Sequence, residues 1–196
     1  MTLYLILIAI ANVIIITFNS IFTVPKFDTS IVFFIVTTIL STIAVILIDL
    51  VVCWFTHLFP KKWIAPSKKI FQVSKGEKKF YEHLYIKAWK EKIPELGVLC
   101  NFRKNKILEP NNNEYIEKFI YETIYGGLCH INSAIFGFLV IFILPLKFWC
   151  CVCLYVAIVN AILNLLPLFV LRYNRYKLNI VYKKNEKLAS KKEKIA

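Results

Sequence analysis

Residues 31–55 read IVFFIVTTILSTIAVILIDLVVCWF, an unbroken apolar run with no Lys or Arg and one acid, Asp49. A helix rises 1.5 Å per residue, so about 20 apolar residues cross a hydrocarbon core of about 30 Å. This run is long enough to span a bilayer and too long for a strand. Three further stretches have the same character: Leu3 to Val24, Leu128 to Leu144 and Trp149 to Leu171. The chain has 196 residues, 58% of them hydrophobic, and a formal charge of +13. Its mean hydropathy is +0.61. No small soluble fold needs that much apolar surface beside that much charge. A secreted disulfide scaffold, a soluble DNA-binding domain and a disordered basic tail are excluded on the same ground.

The expected fold is therefore all-α and polytopic, with four transmembrane helices arranged as two hairpins around a cytoplasmic, interfacial helical segment. Residues 1–60 form the first hairpin, with spans at about 3–24 and 31–55 separated by Pro25, Lys26 and Asp28. The first span has no Lys or Arg before it and no small-residue cleavage pattern, so it reads as a span and not as a signal peptide. Residues 61–127 form the interfacial segment. Residues 128–171 form the second hairpin, with spans at about 128–144 and 149–171 around Pro145 and Lys147, and residues 172–196 form a basic tail. There is no internal repeat.

Cationic residues set the expected orientation. Of the 25 Lys and Arg, 14 lie between Pro60 and Leu128 and 9 lie from Arg172 onward, leaving Lys26 and Lys147 in the short turns. Short loops rich in Lys and Arg stay on the cytoplasmic side. Both termini and the central segment are thus expected in the cytoplasm. The Lys-, Asn- and Ile-rich composition fits an AT-rich bacterial genome, which makes the bacterial cell membrane the expected location. The positive charge reads as orientation plus attraction to anionic membrane lipid, at about 1 kcal/mol per basic residue near the surface. Nucleic acid is not an expected partner.

Within the central segment, Tyr81 to Ile93 interleaves Leu84, Ile86, Trp89 and Ile93 with Lys87, Lys90, Glu91 and Lys92. That pattern is roughly helical. Trp89 and Lys90 suit an in-plane element with its ring at headgroup level and its amines on phosphates, although a packed cytoplasmic helix reads the same way. Pro94 ends the pattern, and Asn101 to Asn113 reads as loop. Asn113 is placed to cap a helix whose first turn holds Glu114 and Glu117, the sign that suits the positive end of a helix dipole.

Four of the six cysteines, Cys53, Cys150, Cys151 and Cys153, lie in or beside apolar runs and read as small apolar residues. No spacing suits zinc. Three histidines are too few for a di-iron membrane oxidase, so no metal and no cofactor are expected. Polar groups collect where the spans meet water. Glu122 and His130 bracket the entry of the third span, and Arg172, Asn174 and Arg175 follow the fourth. An antiparallel second hairpin returns both sets to one surface. On a continuous helix, positions eight apart lie about 80° around the axis and about 12 Å along it, so Glu122 and His130 do not bond directly. His130 can be a general base, because imidazole with an unperturbed pKa near 6.5 is largely neutral in the cytoplasm. An interfacial histidine that only donates a structural hydrogen bond is the plainer alternative. Lysine is the default cation, since only Arg103, Arg172 and Arg175 are arginine. Two arginines three apart suggest a planar fork for a phosphate or carboxylate, with snorkelling anchors as the rival reading.

Arg172-Tyr173-Asn174-Arg175 resembles a motif of the small bacterial membrane acyltransferases named for glycosyl-4,4'-diaponeurosporenoate acyltransferase, which act in staphyloxanthin-type carotenoid synthesis. Two further blocks carry the likeness: Tyr85-Ile-Lys-Ala-Trp89-Lys90-Glu-Lys92-Ile-Pro94-Glu95, and Glu122-Thr123 followed at the family's spacing by His130. Asn164 also stands at the expected distance before the arginines. The likeness covers about Phe80 to Lys183. Gly126-Gly127 replaces an Ala-Glu pair of the pattern, Ile131 an aromatic and Leu171 a Gln, and Pro167 is shifted by one.

The resemblance implies transfer of a fatty acyl group from an acyl-CoA or acyl-carrier thioester to a hydroxyl of a glycolipid or glycosyl-carotenoid acceptor. In that scheme His130 deprotonates the acceptor and Glu122 positions it. Arg172, Asn174 and Arg175 bind the donor's anionic groups or the developing oxyanion, and Trp89 and Lys90 hold the interface or the sugar. A non-enzymatic lipid-binding or partner-stabilising membrane subunit is the alternative, since Gly126-Gly127 also suits close helix approach. A transporter would need repeats and broken spans that are absent from the sequence. The oligomeric state stays open.

Overall fold

The computed structural model describes residues 2–93, 107–145, 148 and 150–193. Pro94, the part of the expected loop at 101–106, Lys147 and Trp149 lie outside them. Every regular element among the described residues is helical. In chain order these are α1 (Thr2–Phe22), α2 (Val24–Phe27), α3 (Ile31–His57), α4 (Lys75–His83), α5 (Ile86–Trp89), α6 (Asn113–Phe136) and α7 (Cys153–Glu193). Short 3-10 turns occupy Lys61–Trp63, Lys69–Phe71, Lys90–Lys92 and Gly137–Ile143. Four helical segments are long and apolar enough to cross a membrane: Thr2–Phe22, Ile31–His57, Asn113–Ile143 and Cys153–Lys191. The apolar stretch at 128–144 thus lies partly in α6 and partly in the 3-10 segment after it. The described part of the basic tail, as far as Glu193, continues α7 as helix.

The chain divides into two compact units, one of Met1–His57 with Cys129–Leu166 and one of Leu58–Leu128 with Pro167–Ala196. In the first unit, Ile15, Phe34, Val45, Val140, Val152 and Ala157 form a buried core. Lipid is as apolar as leucine, so such a core is held by close packing and polar stitches and not by water exclusion. The stitches are present. Thr42 Oγ1 donates to Asn12 Oδ1 at 2.9 Å, Asn19 Nδ2 to the Cys151 carbonyl at 2.8 Å and the Tyr4 hydroxyl to the Leu163 carbonyl at 3.1 Å. Each such bond contributes about 0.6 kcal/mol in a membrane helix bundle. Leu5, Val13, Ile14 and Ile21 point outward from α1, as a lipid-facing stripe requires.

Gly137 permits one close approach. A Cβ there would meet Asn160 Nδ2 at 2.4 Å and Val45 at 3.3 Å, so only glycine lets this turn lie against α3 and α7. The described cysteines are free thiols, and Cys129 Sγ lies 3.8 Å from His57 Nδ1.

In the second unit, Ile116, Ile120 and Ile124 recur every fourth residue on α6 and bury one stripe against Ile64, Phe71 and Leu178. Ser74 caps α4 by accepting the Glu77 N–H at 3.0 Å, which is worth about 1 kcal/mol. Two local expectations are corrected. Asn112, not Asn113, caps α6, its Oδ1 accepting from the Tyr115 N–H at 3.2 Å. Tyr81 to Ile93 is not one helix but breaks at Tyr85, which is 79% exposed and sits in the left-handed region at φ 52°. The Trp89 indole N–H then donates to the Leu84 carbonyl at 2.8 Å and satisfies an acceptor that the broken ladder leaves open.

Candidate functional site

Within the first unit, α3, α6 and α7 bring one acid, two amides and an imidazole into a single hydrogen-bonded chain. Asn160 and Asn164 are four apart on α7 and share a face. Asn160 Nδ2 donates to Asp49 Oδ1 at 3.2 Å and to the Ser133 carbonyl at 3.3 Å, while its Oδ1 accepts from Asn164 Nδ2 at 3.1 Å. Asn164 Nδ2 also donates to Asp49 Oδ2 at 3.0 Å. Both oxygens of Asp49 therefore accept an amide N–H, as a carboxylate does. That use of the Asn164 amide turns its Oδ1 toward the ring of His130, 2.9 Å from Nδ1. Facing a carbonyl oxygen, Nδ1 must be the donor. The neutral ring then leaves its lone pair on Nε2, which makes no hydrogen bond among the described residues. Both asparagines are buried and His130 is half-buried.

The second unit holds a guanidinium cluster. Arg172 grips Glu77 with two prongs, Nε on Oε1 and Nη2 on Oε2 at 2.9 Å, and reaches the Ile70 carbonyl at 3.2 Å. Arg175 is 2% exposed. Its Nε donates to Thr123 Oγ1 at 3.0 Å, Nη1 to the Phe71 carbonyl at 3.1 Å and Nη2 to the Thr123 carbonyl. A Cβ on Gly127 would lie 3.2 Å from Arg175 Nη2, and one on Gly126 would lie 3.0 Å from Leu171 Cδ1. Gly127 thus leaves room for the arginine, and Gly126 for Leu171. The fork geometry read from the sequence is present, and its carboxylate is the chain's own Glu77.

The Glu77 carboxyl is set by opposing effects. Burial pushes it up, but hydrogen bonds from Arg172 and Tyr81 and the charges of both arginines outweigh that and hold it below the usual carboxylate range. Tyr81, which donates to Glu77 at 2.6 Å, is pushed up by burial first and by the carboxylate second. A lowered folded value means that Glu77 contributes stability that is complete above the ordinary glutamate value of 4.5 and fades as pH falls through the folded value. Glu77→Gln should therefore melt below the wild type at neutral pH and converge with it in acid. A stability gap unchanged down to about pH 3 would exclude the ion pair as its source.

Of the residues singled out in the sequence, His130 belongs to the first unit, and Glu122, Trp89, Lys90, Arg172, Asn174 and Arg175 belong to the second. Glu122 is half-buried on α6, and Asn174 is buried. Lys90 pairs with Glu91 at 3.0 Å. Asn164 stands beside the histidine. Sequence reasoning gave no role to Asp49 or Asn160. The available signal was the lone acid in an apolar span, since an ionisable residue inside a membrane is costly enough to mark function by default.

Fold and site together define a polytopic helical membrane protein with a histidine hydrogen-bonded to a buried amide that also bonds a carboxylate. No curated protein and no solved structure matches the chain. Residues 60–184 match the family profile described as glycosyl-4,4'-diaponeurosporenoate acyltransferase, and the chain belongs to that family. His130, Asn160, Asn164 and both α7 arginines fall inside the matched segment. Asp49 falls outside it.

Proposed function

We propose that the protein moves a fatty acyl group from a cytoplasmic thioester, acyl-CoA or an acyl carrier, to a hydroxyl of a glycosyl-carotenoid or related glycolipid in the bacterial cell membrane. One observation carries the reading: the Nδ1–H of His130 is tied to Asn164, which leaves Nε2 as a base. Nε2 takes the hydroxyl proton as the acceptor oxygen attacks the thioester carbonyl and a C–O bond forms. The tetrahedral oxyanion then collapses, the C–S bond breaks, and the thiolate leaves with the proton returned from His130. Arg172, exchanging Glu77 for the donor, binds its anionic groups together with Asn174, and Trp89 and Lys90 hold the membrane interface. Glu122 orients the acceptor through a hydrogen bond, and Arg175 fixes the α7 segment that carries Arg172. The Lys and Arg distribution supports cytoplasmic termini.

A second reading, a lipid-binding or partner-stabilising subunit, is favoured by one feature. Arg175 directs its donors into its own unit, where Gly127 makes room for it. Expression in a host that supplies glycolipid acceptors, followed by mass spectrometry of extracted lipids, separates the two. The expected result is a lipid class heavier by one fatty acyl group that depends on the protein. Folded protein in the membrane with no such species would reject the enzyme and leave the binding subunit.

A further inference from the structure

We infer that Asp49 is a positioning residue for His130: acting through Asn164 from outside the matched segment, it holds the imidazole in the Nδ1–H tautomer. This rests on reading His130 as the base. An asparagine amide can present either its oxygen or its nitrogen to a neighbour, and the two choices select opposite tautomers of the ring. The Asn160 backbone carbonyl, which can only accept, takes Asn164 Nδ2 at 3.1 Å and begins to fix the choice. Asp49 completes it, because its Oδ2 accepts the other Nδ2 hydrogen at 3.0 Å and so keeps Oδ1 toward His130. Asn160 reinforces the choice from the same side. Its Nδ2 is spent on Asp49 Oδ1 and the Ser133 carbonyl, so its Oδ1 also accepts from Asn164 Nδ2. The glycine at position 137 gives Asn160 the room to do this. Two amide donors thus agree on one orientation, and the Asp49 carboxylate, which accepts from both, ties them together. Placing an acid in an apolar span is expensive, and this arrangement gives that cost a purpose.

The substitution that reads the effect is Asp49→Asn, which keeps size and shape but brings an NH₂ group against the two asparagine amides. Either its Nδ2 opposes one of theirs, or Asn164 turns over and offers Nδ2 to the ring, selecting the Nε2–H form. The full-length protein, labelled with ¹⁵N-histidine in lipid bilayers, reports the tautomer by solid-state NMR at a pH where the ring is neutral, with His130→Ala assigning the signal. In the wild type the proton should be on Nδ1. In Asp49→Asn it should move to Nε2, and accumulation of the acylated lipid should fall about 10- to 100-fold, as when a partner that orients a histidine ligand is removed.

A wild-type ring protonated on Nε2 overturns the inference without any variant, which covers the case in which Asp49→Asn fails to fold. Loss of product with the tautomer unchanged overturns it too, since Asp49 would then be only a structural group. If the tautomer shifts and product formation does not, the positioning holds and the reading of His130 as the base is what fails.

Discussion

Replacing His130 with alanine should reduce the acylated lipid by about 10²- to 10⁴-fold, the usual contribution of a positioned general base, with the protein present in the membrane at wild-type level. The variant removes the only group in the first unit's polar chain with a free basic lone pair. It also leaves Asn164 Oδ1 without its donor, at a cost of about 1 kcal/mol. His130→Asn separates the two effects. Its amide nitrogen stands near the place of Nδ1 and can still donate to Asn164, but nothing replaces Nε2. Both variants should therefore lose product, and the asparagine should recover the stability. Product formation retained by either variant removes the base from the mechanism. Product restored by asparagine alone would make His130 a structural donor, the plainer reading of an interfacial histidine.

The largest effect on stability should come from Arg175→Ala, about 2 to 5 kcal/mol, read as a lower Tm in detergent and lower abundance in the membrane. The buried guanidinium is the common donor to the Thr123 carbonyl, the Thr123 hydroxyl and the Phe71 carbonyl. Truncation strands those acceptors and opens a cavity beside Gly127. Lysine should rescue little, because one ammonium cannot replace a planar fork that reaches several acceptors. Wild-type melting combined with lost activity would instead give Arg175 a direct role with the substrate.

The spans were legible because transmembrane helices are announced by composition over about 20 residues, and no tertiary detail competes with that signal. Local geometry was less so. Tyr85 breaks the α4–α5 segment without the glycine or asparagine that usually marks a left-handed residue. The α6 cap shifted by one because adjacent asparagines offer the same oxygen at Asn112 and Asn113, and only the backbone geometry chooses between them. In the candidate site, His130 and the arginines could be read from residue type and spacing. Their partners could not. Asp49 meets Asn164 across 115 positions and Glu77 meets Arg172 across 95, and such pairings depend on helix rotation that periodicity leaves undetermined in a uniformly apolar span. The planar fork of Arg172 meets a carboxylate of the chain itself, Glu77 on α4.

The bond between Asn164 and Asp49 also bears on how relatives of this chain are compared. An alignment confined to residues 60–184 scores the histidine and its amide and cannot see the acid behind them. Two chains equally similar over that segment can thus differ in whether the imidazole has a carboxylate to lean on. Sorting such chains by an acid in an upstream apolar run would divide them by chemistry where overall identity does not.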